Sequence, residues 1–170
     1  MEAIRSRSSG FTIVELLIVV VIIAILAVIT VVAYNGIQNR ASDSAVYSDA
    51  SSIAKKLAII KVDLGRYPII PTEFPADFKI SKGAYSTGYN NMMYCVNKVT
   101  DRYALGMISK STKGFLVVDG VIQVGVSPAS IHATACTAIG ATWANDANNA
   151  AIHGFSPVTG RWANTWPWVS

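Results

Sequence analysis

Charge is scarce in this chain of 170 residues: only 14% are Asp, Glu, Lys or Arg, against roughly 25% in an average globular protein. The shortage excludes a disordered tail protein and argues against an ordinary soluble enzyme. The excess of base over acid is slight, 14 against 10, and its sources run from Arg5 to Arg161. No basic stripe is present to track a phosphate backbone, so no nucleic-acid partner is expected. Cysteine is nearly absent. Cys95 and Cys136 are too few for a disulfide scaffold and are spaced unlike a metal-ligand pair. His132 and His153 stand alone and read as ordinary polar residues. No Ser–His–Asp, Cys–His or paired-carboxylate arrangement can be argued from spacing. The expectation is a protein that is not an enzyme, with no cofactor and no metal.

What the chain has instead is apolar residues, 52% of the total, with a mean hydropathy of +0.40. They are concentrated. From Phe11 to Ala33 only Thr12, Glu15 and Thr30 interrupt the run. Twenty-three residues at ~1.5 Å each give a helix near 35 Å, against ~30 Å of bilayer hydrocarbon. A helix apolar on every side is expected in a membrane rather than on a soluble core. Arg5 and Arg7 precede it, which by the positive-inside rule puts the N-terminus in the cytoplasm and residues after Tyr34 outside. The run is too long for a cleaved secretory signal. The small-residue junction, Ser8-Ser9-Gly10, lies before the apolar run and not after it. A cut there removes the charged leader and leaves the apolar helix attached.

Glu15 is out of place in such a helix, because a carboxylate there costs up to ~2.5–3.5 kcal/mol near the bilayer centre. Two readings are open. Glu15 lies at headgroup level, or it pairs with a cation in a dry assembly. If the chain is cut after Gly10, the new α-amino group of Phe11 is such a cation, on the same subunit or a neighbouring one.

The segment Ser9-Gly10-Phe11-Thr12-Ile13-Val14-Glu15-Leu16-Leu17-Ile18-Val19-Val20 resembles the processing site and helix start of type IV prepilins and the related pseudopilins. The clear resemblance covers about residues 1–67. It implies cleavage between Gly10 and Phe11 by a prepilin peptidase, N-methylation of Phe11, and a role for Glu15 in docking subunits. It further implies a helical polymer of this chain with other pilins, an inner-membrane assembly platform, and the lipid bilayer as partner before assembly. The chain departs from many relatives at Ala24 and Val32, where those carry Gly and Pro.

From Tyr34 the composition changes while helical periodicity continues. Val46, Ala50, Ile53, Leu57, Ile60 and Leu64 form one apolar stripe, with Asp43, Asp49, Lys55 and Lys56 expected off it. Gly36 is a tolerated interruption. Gly65-Arg66-Tyr67-Pro68 ends the helix, Gly as the C-terminal cap and Pro as a stop. Residues 69–88 read as a surface connection. Strands are expected at Met92–Val96, Tyr103–Ile108, Gly114–Val118 and Val121–Val124, with Asp119-Gly120 as a hairpin turn. The expected fold is α+β and pilin-like: a long N-terminal helix packed through its second half on an antiparallel sheet of three to four strands. Its parts would be a leader at 1–10, a transmembrane and filament-core helix at 11–33, an amphipathic continuation at 34–64 and an extracytoplasmic head at 65–170.

On the outward topology, Cys95 and Cys136 face an oxidising compartment and are expected to form a bridge; in a reducing setting they would be two free thiols. A bridge would tie the tail to the sheet, as a C-terminal disulfide does in many pilins. The last 35 residues read as irregular, with Trp143, Trp162, Trp166 and Trp168 either filling the core or forming a glycan- or protein-binding surface. Asn145, Asp146, Asn148 and Asn149 offer oxygens for calcium, but at a spacing that matches no EF-hand loop. The leading function is a structural subunit of a type IV pilus-like filament, stored in the cytoplasmic membrane before export as an extracellular or envelope-spanning filament. The alternatives are a pseudopilin of type II secretion or DNA uptake, and a membrane-anchored binding module that never polymerises.

Overall fold

The computed structural model describes residues 10–75, 80–86, 91–142, 150–156 and 161–163. They fall into two compact units that divide after Gln38. The architecture is α+β, a long N-terminal apolar helix and a small antiparallel sheet. Helix α1 runs from Ile13 to Leu64 without a break at Gly36, Ala24 or Val32. It stops where expected: Gly65 takes φ +74°, the left-handed conformation that closes a helix C-terminus at little cost only in glycine.

In the second unit the strands are β1 (Met92–Asn97), β2 (Arg102–Ile108), β3 (Gly114–Val118), β4 (Val121–Val126), β5 (Ala150–Ser156) and β6 (Arg161–Ala163), and α2 spans Ile131–Ala138. One sheet holds all six in the order β4-β3-β2-β1-β5-β6, every neighbour antiparallel. Asp119 and Gly120, at φ 48° and 91°, make the hairpin between β3 and β4. The sheet departs from expectation in two ways. Among the described residues it has six strands rather than three or four, and the C-terminal region read as irregular supplies β5, β6 and the end of α2. Tertiary pairing of β5 with the buried β1 overrides the poor strand propensity of Ala150, Ala151 and Gly154.

Both faces of the sheet are covered at β1, β2 and β3, while the edge strand β4 is largely exposed. Tyr94, Val96, Tyr103, Leu105, Met107, Phe115 and Val117 pack with Val46, Ala50, Ile53, Leu57 and Ile60 of α1. The alternate residues Met93, Cys95, Ala104 and Leu116 pack with Ala135, Cys136 and Ile139 around α2. Gly106 permits that second layer, since a Cβ there would lie 3.2 Å from the Ile131 carbonyl oxygen. Leu64 departs from the expected stripe and is 45% exposed, at the last residue of α1.

Asp43 and Asp49 also depart from expectation, because both face the head. Asp49 is buried and accepts hydrogen bonds from Ser81 N (2.8 Å), Ser81 Oγ (3.2 Å) and Tyr85 Oη (3.0 Å). Burial and the neighbouring carboxylate push the Tyr85 phenol well above its ordinary pKa, so it remains a donor. Asp43 accepts from Ser109 Oγ at 2.6 Å and from Ser111 Oγ, and pairs with Lys113 Nζ at 2.6 Å. The 69–88 stretch is correspondingly less superficial than expected: Phe74, Ala84, Tyr85 and Ser86 are buried.

Partial burial pushes the Asp43 carboxyl up, but hydrogen bonds from Lys113, Ser109 and Ser111 together with the ammonium charge outweigh it and hold the pKa below the ordinary 3.8. Its stabilisation is therefore present above pH 3.8 and lost as the pH falls through the lower folded value. Asp43→Asn should cost about 1 kcal/mol at pH 7, discounted for the exposed Lys113. Urea unfolding of the chain in detergent should show that difference narrowing only below the ordinary carboxylate range. A difference that stays constant down to full protonation would contradict the assignment.

Cys95 and Cys136 are bridged, joining β1 to α2 with Cα atoms 5.4 Å apart. Both are fully buried. With a sequence separation of 41, the chain-entropy model gives ~4 kcal/mol. Replacing both by Ala should lower unfolding stability by about 2–5 kcal/mol, read by the same urea titration, and non-reducing peptide maps of wild type should show the linked pair. Ready alkylation of both thiols without reductant would refute the bridge.

Candidate processing and assembly site at the helix start

Gly10 and Phe11 are exposed and precede the first helical residue, Ile13. Thr12 and Glu15 build the first turn of α1. Thr12 N donates to Glu15 Oε2 at 2.9 Å and Thr12 Oγ1 donates to the same oxygen at 2.7 Å. In return Glu15 N donates to Thr12 Oγ1 at 3.2 Å. This reciprocal pairing is a capping box, in which the residue before the helix and the third helical residue satisfy each other's unpaired donors. It was legible as the pattern Thr-x-x-Glu over residues 12–15, a signal that reading Glu15 only as a charge passes over.

Downstream, every residue from Ile13 to Gln38 is exposed. The large apolar side chains show solvent-accessible fractions from 49% at Val21 to 85% at Ile13. An 18-residue window reaches a mean hydropathy of 3.5, long and apolar enough by composition to cross a membrane. Thr30 places no unsatisfied hydroxyl on this surface, because its Oγ1 donates to the carbonyls of Leu26 (3.0 Å) and Ala27 (2.9 Å). Glu15 is then the one ionisable side chain from Phe11 to Ala33. Its carboxylate sits at the helix N-terminus, where the macrodipole favours negative charge.

Residues 5–31 match the family model described as the prokaryotic N-terminal methylation motif. The chain carries a type IV prepilin-like cleavage and methylation signal. The motif supports a type IV pilin or pseudopilin, and it describes a structural signal rather than an enzyme family. No curated protein and no solved structure matches this chain. The match accounts for the N-terminal segment alone, so the head is understood through its own geometry.

The other residues singled out from the sequence lie elsewhere. Trp162 is 5% exposed and stacks on Phe74 with centroids 4.8 Å apart, so at this position tryptophan fills the core instead of forming a surface. Trp143, Trp166 and Trp168 lie outside the described residues, as do Asn145, Asp146, Asn148 and Asn149. His153 is not an ordinary surface residue: it is buried on β5 beside Tyr94, with Nε2 2.9 Å from the Ile69 carbonyl oxygen.

Proposed function

We propose that this protein is a structural subunit of a type IV pilus-like filament, held in the cytoplasmic membrane by residues 11–33 until it is assembled. The observation that carries the reading is a single carboxylate, Glu15, at the capped start of a helix apolar on all sides. A permanent anchor gains from it only the helix cap, which a glutamine would supply as well. A filament core gains from the charge itself, because each Phe11 amine released by cleavage needs a counter-charge once water is excluded. Prepilin peptidase is the expected processing partner, cutting between Gly10 and Phe11 and methylating Phe11. The filament's other contacts are copies of this chain, further pilins and an assembly platform in the membrane. The same subunit chemistry serves a surface pilus or a secretion or DNA-uptake pseudopilus.

The test is mass spectrometry of the native N-terminus in two fractions, membrane and sheared filament. Filament material should begin at methylated Phe11, with its mass accounting for loss of residues 1–10. An intact Met1 terminus on surface-exposed protein would sink the reading and leave the anchored binding module.

A further inference from the structure

We infer that a groove between α1 and the β3–β4 hairpin receives a second copy of this chain, through the outward ridge of that copy's α1 at Ile59, Val62 and Asp63. The inference rests on the filament reading and adds the faces through which two heads meet. Groove and ridge both belong to the second compact unit, residues 39–170. The groove, about 240 Å³, is lined by Ser51, Ala54, Lys55, Ala58, Gly120 and Ile122. It exists because Ser51, Ala54 and Ala58 put small side chains at helical spacing, opposite a hairpin turn where Gly120 has no Cβ. Small-molecule sites occupy ~300–1,000 Å³, so this volume suits branched aliphatic side chains better than a ligand. The ridge supplies such side chains. Ile59 is 61% and Val62 83% exposed, while Ile53, Leu57 and Ile60 of the same helix are buried. At 3.6 residues per turn, Ile59, Val62 and Asp63 share the side of α1 turned away from the sheet.

Charge selects the same partner. Lys55 rims the groove and Asp63 adjoins Val62 on the ridge. Both are exposed, and among the described residues neither makes an ion pair. Eight positions apart on one helix, they are separated by ~12 Å of rise and cannot pair within a copy. A second copy running the same way and displaced along α1 by that distance brings its Asp63 level with Lys55. The same displacement brings its Val62 level with Ala54. Groove and ridge are different faces, so the contact is heterologous: the last copy still offers an open face, and addition continues as a filament requires. A twofold pairing of the groove with itself would instead set Lys55 against Lys55 and leave Ile59 and Val62 exposed.

The experiment uses the full chain carrying Ala54→Cys and Val62→Cys together. Its own cysteines, Cys95 and Cys136, are bridged and buried. The two introduced thiols lie ~12 Å apart along one helix, and a disulfide needs Cα atoms within about 7 Å, so any bond between them joins two copies. After mild oxidation, sheared filament should give a ladder of covalent multimers on a non-reducing gel, and neither single variant should. Lys55→Glu should lower filament yield by about two- to fivefold, and adding Asp63→Lys should recover it. Filament that begins at methylated Phe11 yet gives no ladder would overturn this inference alone. A product that stops at the dimer would mean twofold pairing, and a linked peptide from another protein would mean another occupant; either overturns it. Wild-type chain found only in the membrane fraction would overturn the filament reading, and this inference with it.

Discussion

Gly10→Val should leave the protein folded, membrane-inserted and uncut. Among the described residues a Cβ built on Gly10 meets nothing within 4 Å, and the residue precedes the helix, so the substitution strains none of them. Any effect therefore arises in the enzyme that handles it. A peptidase pocket shaped for glycine beside the scissile bond meets a branched side chain, and overpacking of that kind costs ~1–3 kcal/mol or more. At about 1.36 kcal/mol per decade, processing should slow by about 10- to 100-fold or more. Gly10→Ala should fall between. The consequence reaches assembly, because an uncut chain presents Phe11 as a neutral amide and Glu15 loses its expected cation. Immunoblots should show only the larger, leader-bearing species in the membrane fraction and none in sheared filament. Normal processing of Gly10→Val would remove the assignment of the cleavage site.

How far the sequence could be read depends on whether the information was local. Periodicity from Val46 to Ile60 located the buried face of α1, since five positions at helical spacing admit one face. Gly65 and Asp119-Gly120 were legible because left-handed backbone limits the residues that fit. Asp49 was not legible. Its partner Tyr85 lies 36 positions away, and an aspartate on an amphipathic helix reads as solvated until the fold brings a donor to it. β5 was hidden for a related reason. Its two alanines and its glycine carry little strand signal, and its place comes from pairing with the fully buried β1. α2 was likewise not read from the sequence, and its layer explains why all six residues of β1 are buried. At the helix start the local pattern was present, but the charge of Glu15 drew attention from the hydroxyl of Thr12.

That hydroxyl sharpens the expected effects of substitutions at Glu15. Glu15 has two separable roles, accepting the capping hydrogen bonds of Thr12 and carrying a negative charge into an apolar assembly. Glu15→Leu and Glu15→Ala lose both. They should insert into membrane as well as wild type or better, because a carboxylate in the apolar segment opposes insertion. They should nevertheless lose most filament, since breaking a buried pair by removing one partner costs ~3–5 kcal/mol, a drop of roughly 100-fold or more in the assembly equilibrium. Glu15→Gln retains the capping geometry, which accepts Gln as well as Glu, but gives up the charge. It should yield an intermediate amount of filament. Thr12→Val does the reverse, removing the hydroxyl at about 0.5–2 kcal/mol of helix-end stability while leaving the carboxylate free to pair. Its filament yield should stay nearer to wild type than that of Glu15→Gln. The measurement is fractionation of membrane-inserted subunit against sheared filament for wild type and these variants, with the N-terminus of each checked for cleavage. If Thr12→Val and Glu15→Leu fail alike while Glu15→Gln assembles normally, the carboxylate serves the helix end and not the neighbouring amine. If Glu15→Leu assembles as well as wild type, neither role matters to polymerisation, and the chain is better understood as an anchored binding module.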